Sequence, residues 1–295
     1  MLAGDADMRL SLAGAQDKLP VVAGGRIGLP RFGTPSSHIL KPMITGALGI
    51  EGSVFNEGFC MALASALQLN VAPTAIAQVG ERPYLLVECY DRQHDTKQRL
   101  HQEDFCQALG VPPETKYQNE GGPDLLQSFA LLRRATRPSA PQVLQLLQLL
   151  QLLDPVIFNA LIGNHDAHGK NFSLLYTPRG TVLAPLYDLL ATAVYPRLTD
   201  KMAMKIGSKY RFTEVQAPHW ERFAVDADLS PAQVKKRVLH IAQRLPTLAQ
   251  TQWEAWQEQG YNHPILGHIT ALVAQRCSLT VRRLAASDQS DKNSL

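Results

Sequence analysis

Apolar positions in the first third of the chain form short runs that are separated by glycine and proline. The runs at residues 19–22, 38–40 and 84–88 are bounded by turn-forming residues, which predicts β-strands. Over residues 54–69 apolar side chains instead recur at helical spacing, and Asn70 follows as a candidate C-terminal cap. The order of strands, one helix and a further strand predicts an α+β unit.

Beyond about residue 102 the pattern changes, and most segments show apolar positions at helical spacing. The predicted helices are residues 102–109, 125–136, 143–153 and 156–162. The dipeptide Asp154-Pro155 separates the last two, because Asp is a favoured N-cap and Pro a favoured first-turn residue. Gly163 is expected to end the fourth helix.

A hairpin with strands at residues 172–176 and 181–184 comes next, and at least three helices complete the chain. The polar tail, residues 287–295, is predicted to be disordered. A small α+β half followed by a larger helical half predicts two lobes, an N-lobe at residues 1–92 and a C-lobe at 93–286. A ligand is expected in the cleft between them.

Composition excludes several classes of protein. The 295 residues are 45% hydrophobic and 19% charged with a net charge of +3, as in a soluble globular protein and unlike a strongly basic nucleic-acid binder. The four cysteines form no C-x-x-C pair, no secretory signal precedes them, and no apolar run reaches the roughly 18 residues of a membrane span. We therefore expect a cytoplasmic protein with reduced thiols and no membrane segment.

The segment GNHDAHGKNF, residues 163–172, carries the strongest chemical signal. Asp166 and Asn171 have the spacing of a phosphotransfer catalytic loop, in which the aspartate accepts the proton of an attacking hydroxyl. Asp188 follows the hairpin and, with Asn171, would hold Mg²⁺ against the ATP phosphates. Taken alone, each aspartate also has a structural explanation, Asp166 as a turn cap and Asp188 as a helix N-cap.

Lys41 directly follows the second apolar run, where a lysine can point into a cleft and pair with the α- and β-phosphates of ATP. Glu57 on the following helix is the candidate that holds it. The alternative is an edge-strand lysine with a solvated head. Inside the loop, Lys170 would neutralise the transferring phosphate and His168 would orient the loop or touch a phosphate, although both also fit a structural role.

The segment SLAGAQDK, residues 11–18, contains small residues that would let backbone amides approach phosphates. It lacks the G-x-G-x-x-G pattern, so by itself it also fits an ordinary turn. The stretch from Gly163 to Lys170 is not a Walker A loop, because five residues separate its glycines and Asn follows the lysine.

Together these segments resemble the HipA family of serine/threonine kinases, the toxin half of bacterial toxin–antitoxin pairs. The resemblance covers about residues 10–190 and follows the family's order. It is carried by SLAGAQDK (11–18), HILKP (38–42), VECYDR (87–92), QEDFCQ (102–107), Lys116-Tyr117 with Gly121-Gly122-Pro123, the Asp166 loop and APLYD (184–188). It implies a two-lobed, protein-kinase-like α+β fold with a small N-lobe and a larger, mostly helical C-lobe.

The resemblance implies that Asp166 is the catalytic base, that Asn171 and Asp188 are the Mg²⁺ ligands, and that ATP and Mg²⁺ are required. It makes Lys41 the ATP-phosphate lysine, with Glu57 still its candidate partner. The implied ATP-binding residues are Ala13, Gly14, Ala15, Gln16, Asp17, Lys18, Lys41, Glu88, Cys89, Tyr90, His168, Gly169, Lys170, Asn171, Tyr187 and Asp188.

Two of these regions have a more specific implied role. Glu88 to Tyr90 would form the interlobe hinge, whose backbone groups read adenine. Ser11 matches a serine that such kinases autophosphorylate, and its phosphate would add about −1.5 to −2 charges beside the ATP phosphates. Repulsion should then expel the loop and inactivate the enzyme.

Implied partners follow from the same resemblance. The protein substrate would be an aminoacyl-tRNA synthetase, whose phosphorylation inhibits translation. A DNA-binding antitoxin would be a partner, and contact with DNA would come mainly through it. Family members carry a further subdomain before the Ser11 loop, whereas this chain begins ten residues upstream of Ser11. The resemblance is therefore to a short, HipT-like form, in which a separate small protein can supply the missing part.

Two other functions remain open at this stage. His165, Asp166, His168 and Asp188 also resemble the metal cluster of a metal-dependent phosphohydrolase, although that function leaves Lys41 unexplained. A non-catalytic module that keeps the fold to bind antitoxin and DNA is the other alternative, and failure to bind ATP would favour it.

Overall fold

The structure is a computed structural model that describes residues 17–24, 26–31, 33–45, 49–92, 98–136 and 142–292. Its small lobe is built on a five-stranded antiparallel sheet with strand order β2-β1-β3-β5-β4. The strands are β1 Leu19–Gly24, β2 Arg26–Gly28, β3 His38–Pro42, β4 Thr74–Val79 and β5 Arg82–Glu88. The three runs predicted as strands are confirmed as β1, β3 and β5, whereas β2 and β4 were not predicted.

The helix of the small lobe, α1 (Ser53–Ala66), lies against β4 and β5. It ends earlier than the apolar pattern predicts, because Gln68 adopts a left-handed φ of 63° that terminates the helix. Asn70 is therefore not its cap. The Asn70 carbonyl instead accepts a hydrogen bond from the Leu186 amide at 2.8 Å, which ties the end of the small lobe to the large lobe.

The large lobe is mostly helical and also contains a three-stranded sheet of order β6-β7-β8 and a two-stranded hairpin, β9–β10. Its elements are β6 His101–Asp104, α2 Phe105–Ala108, α3 Leu125–Ala135, α4 Gln142–Ile162, β7 Ser173–Thr177, β8 Gly180–Leu183, β9 Lys201–Ile206, β10 Lys209–Arg211, α5 Ala217–Asp226, α6 Pro231–Glu258 and α7 Ile265–Lys292. The predicted hairpin is confirmed as β7 and β8. The predicted division into a small α+β lobe and a larger, mostly helical lobe is also confirmed.

Two predicted helices differ from the structure. The helix predicted at residues 102–109 is a strand followed by one helical turn, because Asp104 is an N-cap that starts the helix after itself. Its Oδ1 accepts a hydrogen bond from the Gln107 amide at 2.9 Å, and Gln107 Oε1 accepts one from the Asp104 amide at 2.9 Å. The residues before the cap pair with β7 instead.

The predicted break at Asp154-Pro155 is wrong, since α4 continues through both residues. A proline inside a helix removes one hydrogen bond at a cost of roughly 3 kcal/mol. Burial on both sides offsets this cost, and the buried residues flanking the proline are Leu152, Leu153, Val156 and Ile157. Asp154 lies inside α4 and therefore caps no helix. Its Oδ1 instead accepts a hydrogen bond from Arg237 Nε at 2.8 Å.

The two lobes share one hydrophobic core. Asn56 of α1 accepts a hydrogen bond from the Ala191 amide at 2.8 Å and donates to the Tyr195 hydroxyl at 3.1 Å. Phe59 of α1 meets the ring of Trp256 on α6 edge-on, with centroids 5.3 Å apart. The helix that carries Glu57 is thereby fixed against the segment that follows Asp188.

The last helix extends to Lys292, into the tail for which the sequence predicts disorder. Among the helices that the structure describes, none has the length and apolar character needed to cross a membrane.

Candidate active site

Lys41 lies at the centre of a buried ionic cluster between the lobes. It pairs with Leu85 across β3 and β5, and its side chain is 3% exposed. The ammonium lies 2.5 Å from Glu57 Oε1 and also contacts Asp188 Oδ1. Burial lowers the pKa of Lys41, but the two carboxylates outweigh burial and hold the pKa above its ordinary value. A charged lysine thus bridges carboxylates from both lobes, which excludes the solvated edge-strand lysine.

Glu57 is fully buried on α1, and its Oε2 has no hydrogen-bond partner within the described residues. Burial raises the pKa of Glu57, and the charge of Lys41 acts in the opposite direction. The position of Glu57 is set by the packing of α1. It can therefore hold the lysine in one place even when other groups bind the ammonium.

Asp188 follows the β7–β8 hairpin and contacts a second cation, since Lys18 Nζ lies 3.2 Å from its Oδ2. Burial raises the pKa of Asp188, but Lys41 and then Lys18 outweigh burial and hold the pKa below its usual range. The backbone φ of 54° is left-handed, a conformation that Asp adopts more readily than most residues. No helix begins until the 3₁₀ turn Thr192–Val194, so the N-cap explanation of Asp188 is wrong.

The predicted catalytic loop begins where α4 ends. Gly163 adopts a left-handed φ of 77°, and a Cβ there would lie 2.7 Å from Ala193 Cβ, so only glycine fits. Asn164 Nδ2 donates to Asn159 Oδ1 at 2.9 Å, and Asn164 Oδ1 accepts from the Asp166 amide at 3.1 Å. Asn164 therefore ties the backbone of Asp166 to the end of the helix.

The Asp166 carboxylate is held by a hydrogen bond from Tyr117. The Tyr117 hydroxyl donates to Asp166 Oδ1 at 2.5 Å, and His168 Nε2 lies 3.9 Å from the same oxygen. The side chain of Asp166 is 17% exposed. An anchored carboxylate that still reaches solvent can accept a proton from an incoming hydroxyl.

His165 has a structural role. Its Nδ1 donates to the Thr199 carbonyl at 2.9 Å, because a carbonyl can only accept, and its Nε2 then accepts from Arg276 Nη2 at 3.0 Å. Burial, and then the charge of Arg276, lowers the pKa of His165 to about 4. With both ring nitrogens engaged, His165 is not available as a metal ligand.

His168 lies in the interior beneath the loop, 1% exposed. Its ring meets the Tyr117 ring edge-on with centroids 5.3 Å apart, and neither ring nitrogen has a hydrogen-bond partner among the described residues. Burial, and then the charge of Lys116, lowers the pKa of His168 to about 3, so the ring is neutral. The ring packs beneath the loop against Tyr117, and contact of His168 with a phosphate stays a prediction.

The remaining loop residues make close contacts of their own. A Cβ on Gly169 would lie 2.8 Å from Pro123 Cγ, so a glycine lets the loop approach the preceding segment. Lys170 Nζ pairs with Asp104 Oδ2 at 2.9 Å. Asn171 Oδ1 accepts from the His168 amide at 3.1 Å, which leaves this oxygen a second lone pair for a metal ion.

Tyr187 links the loop to the segment that carries Asp188. Its hydroxyl donates to the Lys170 carbonyl at 2.7 Å and lies 2.8 Å from Ser173 Oγ. Its ring stacks on Tyr90 with centroids 6.0 Å apart. Since Lys170 precedes Asn171 and Tyr187 precedes Asp188, this hydrogen bond keeps the two predicted metal ligands in one neighbourhood.

The predicted hinge uses part of its backbone within the sheet. The Glu88 amide donates to the Pro73 carbonyl and the Cys89 amide to the Ser37 carbonyl, each at 2.9 Å. The Glu88 and Cys89 amides are therefore already engaged, and adenine recognition by residues 88–90 stays a prediction.

Of the predicted phosphate loop, the structure describes Asp17 and Lys18. Ser11, Ala13, Gly14, Ala15 and Gln16 lie outside the described residues. The contact of Lys18 with Asp188 nevertheless brings the C-terminal end of this segment to the predicted metal site.

The donor set fits Mg²⁺ better than a transition metal. The available groups are an amide oxygen and a carboxylate that already attracts two ammonium groups, and Mg²⁺ prefers a few such oxygens together with water and phosphate. Within the described ranges, no three His, Cys, Asp or Glu side chains are grouped to hold a metal.

The sequence pattern indicated no role for Tyr117, Asn164 or Arg276. Tyr117 and Asn164 occur in motifs that the sequence does display, although nothing there shows their contact with Asp166. Arg276 lies on α7, far along the chain from the His165 that it contacts, and no local pattern connects the two.

The profile of the HipA-like C-terminal domain family matches residues 10–253 of this chain. A protein of Sinorhizobium fredii named "Putative kinase Y4mE" is 48% identical over 246 residues, which cover 82% of this chain and 56% of the relative. The serine/threonine-protein kinase toxin HipA of Shewanella oneidensis is 32% identical over 258 residues, which cover 82% of this chain and 57% of the relative. The chain thus spans slightly more than half the length of these curated relatives.

Solved structures agree with the fold. A chain in the complex of the Shewanella oneidensis toxin–antitoxin system HipA, HipB and its operator DNA matches with a TM-score of 0.80 at 27% identity, covering 97% of this chain and 68% of that chain. The Helicobacter pylori proinflammatory kinase CtkA matches with a TM-score of 0.55 at 14% identity, covering 89% and 92% respectively, a likeness of fold alone. The predicted two-lobed, HipA-like fold is confirmed.

Proposed function

This chain belongs to the family of HipA-like C-terminal domains, and from that membership and the site geometry we propose that it is an ATP-dependent protein kinase acting on serine or threonine. The N-lobe, residues 1–92, and the C-lobe, residues 93–286, would bind the nucleotide between them. The C-lobe would also carry the catalytic loop. The observation that carries the proposal is the lysine bridge, in which Lys41 joins Glu57 of one lobe to Asp188 of the other. A cation held in this way is suited to the ATP phosphates.

In the proposed reaction the oxygen of the acceptor hydroxyl attacks the γ-phosphorus of ATP. The bond from that phosphorus to the β–γ bridging oxygen breaks, and ADP leaves with the bond's electron pair. Asp166 takes the proton of the hydroxyl, in line with its partial exposure and its anchoring by Tyr117. Lys41 would orient the α- and β-phosphates.

Asn171 and Asp188 would hold Mg²⁺, and the bound ion would neutralise charge on the phosphates. In the structure both oxygens of Asp188 contact lysine ammonium groups, which stand in for a cation. Lys18 and Lys41 would therefore have to exchange Asp188 for phosphate oxygens when ATP and the metal bind.

The alternative functions receive less support. A phosphohydrolase cluster that used His165 as a ligand conflicts with the hydrogen bonds made by both of its ring nitrogens. A non-catalytic module leaves the buried lysine bridge unexplained, because an unneeded buried ion cluster costs desolvation free energy.

Substrate and partners are proposed from the family alone. We propose an aminoacyl-tRNA synthetase as substrate, with inhibition of translation as the consequence, and autophosphorylation at Ser11. Following the HipA, HipB and operator DNA complex, we propose a DNA-binding antitoxin as partner in the cytoplasm.

The proposal is tested by incubating the purified protein with labelled ATP and Mg²⁺, beside an Asp166→Ala variant. Label should be followed onto the protein itself, with peptide mapping at Ser11, and onto a panel of aminoacyl-tRNA synthetases. Label that requires Asp166 is the expected result. Absence of ATP binding by the wild-type protein would overturn the proposal.

A further inference from the structure

Tyr117 lies between two 3₁₀ turns, Pro113–Thr115 and Gln118–Glu120, in a segment that precedes the catalytic loop by about fifty residues. Its side chain is 6% exposed, so the hydroxyl is directed inward and not toward solvent. The hydroxyl donates to Asp166 Oδ1 at 2.5 Å. Core packing alone does not require the buried hydroxyl of Tyr117 to contact the proposed catalytic base.

The backbone around Tyr117 is held in place by its own contacts. The Gly122 amide donates to the Tyr117 carbonyl at 2.8 Å. A Cβ on Gly122 would lie 2.3 Å from the Thr115 carbonyl oxygen, so glycine is required for this turn to close. Gln118 Oε1 also accepts from the Lys205 amide of β9 at 2.8 Å, which anchors the next residue.

The ring of Tyr117 is fixed as well. The neutral His168 ring packs edge-on against one side, and Lys116 Nζ lies 5.4 Å from the ring centroid. With backbone and ring both held, the hydroxyl has little freedom to move. A donor of this kind fixes the orientation of the carboxylate that it contacts.

We infer that Tyr117 is the positioning residue of Asp166, holding one carboxylate oxygen so that the carboxylate faces the acceptor hydroxyl. This inference rests on the proposed kinase function. A carboxylate offers about four lone-pair sites, so one hydrogen bond from Tyr117 leaves capacity for a substrate hydroxyl. Misplacement of a reacting group by about 1 Å can cost roughly 100-fold in rate, which is the scale on which such an orienting contact acts.

The test is a Tyr117→Phe variant, which removes the hydroxyl and keeps the ring against His168 and Lys116. The kcat of phosphotransfer should fall roughly 10- to 100-fold, whereas the KM for ATP and the nucleotide Kd stay unchanged. The matched control is Tyr176→Phe, because the Tyr176 hydroxyl also donates to a carboxylate, that of Glu103, outside the site. This control should keep the wild-type kcat.

An equal kcat for wild type and Tyr117→Phe would overturn the inference, and so would a loss of nucleotide affinity that accounts for the whole effect. A double-mutant cycle of unfolding free energy with Tyr117→Phe and Asp166→Ala tests the contact without using activity. The two substitutions should be non-additive, and additivity would overturn the contact itself. Wild-type protein that binds no nucleotide would overturn the proposed function instead, while the cycle still decides whether the contact exists.

Discussion

The two aspartates of the candidate site are held in different ways. Asp188 meets Lys18 and Lys41, which both come from the small lobe. Asp166 is held by Tyr117 and, through its backbone, by Asn164, which both belong to the large lobe. The first arrangement is an ion cluster that spans the lobes, and the second is a hydrogen-bonded arrangement within one lobe.

This difference indicates a division of labour. An ion cluster across a cleft can exchange its partners, so the lysines can pass from Asp188 to phosphates when a nucleotide enters. A hydrogen-bonded carboxylate within one lobe keeps its orientation whether or not the nucleotide is bound. We therefore expect the Asp188 side to govern nucleotide and metal binding and the Asp166 side to govern the chemical step.

The largest expected effect is on the chemical step. Asp166→Asn keeps the shape of the side chain but removes the proton acceptor, so kcat should fall by about 10²- to 10⁴-fold. Steady-state phosphotransfer below the unfolding temperature measures this change. Asp226→Asn is the control, since Asp226 pairs with Arg222 on α5 outside the site, and it should leave kcat unaltered. A similar kcat for both variants would break the proposed division of labour.

The next effect is on stability in acid. In the folded protein burial, aided by Arg276 and Lys116 respectively, lowers the pKa of His165 to about 4 and of His168 to about 3, against roughly 6.5 when unfolded. The unfolded chain therefore binds protons that the folded protein does not. The unfolding free energy should fall by about 1.4 kcal/mol per pH unit for each histidine as the pH drops from 6.5 toward 4.

Urea unfolding at several pH values measures this slope. His168→Gln removes one of the two contributions and should therefore flatten the slope of unfolding free energy against pH. A slope that is the same in the wild-type protein and in His168→Gln would contradict the buried, neutral state of this ring.

A smaller effect, on the free energy of unfolding, is expected when Arg276, which holds His165 in the large lobe, is replaced. Arg276 donates to the Ala160 carbonyl at 2.8 Å and to His165 at 3.0 Å, so Arg276→Met leaves two buried acceptors without a donor. The unfolding free energy should fall by about 1–3 kcal/mol. Arg282→Met, at an exposed position of the same helix, is the matched control, and an equal loss in both variants would argue against the role of these hydrogen bonds.

The smallest effect is expected for Lys170→Met. The Lys170–Asp104 pair is partly exposed, and such pairs contribute up to about 1 kcal/mol. If Lys170 stays with Asp104 during the reaction, kcat should change far less than in Asp166→Asn. A loss of kcat as large as that of Asp166→Asn would show that Lys170 leaves Asp104 to act on the transferring phosphate.

The sequence predicted the features that local pattern determines. Apolar runs located β1, β3 and β5, and helical spacing located α1. The approach of Lys41 to Glu57 was expected because a lysine that follows a strand is commonly held by a glutamate on the next helix, and the structure brings the two side chains together. Each of these features depends on a short stretch of chain.

What the sequence did not predict depends on contacts that are distant along the chain. Pro155 stays inside α4 because both of its sides are buried by tertiary packing, which outweighs a local helix-breaking signal. The Tyr117 hydroxyl reaches Asp166 only after the chain has folded back on itself. Arg276 supports His165 from the last helix, and neither residue type predicts the other.

Nucleotide binding and phosphotransfer measured side by side test the division of labour most directly. Calorimetric titration with ATP and Mg²⁺ would be run on the wild-type protein, Lys41→Met and Asp166→Asn, with phosphotransfer assayed on the same samples. We expect Asp166→Asn to bind the nucleotide like wild type and fail to transfer phosphate, and Lys41→Met to lose both. Normal binding by Lys41→Met, or loss of binding in Asp166→Asn, would contradict the account.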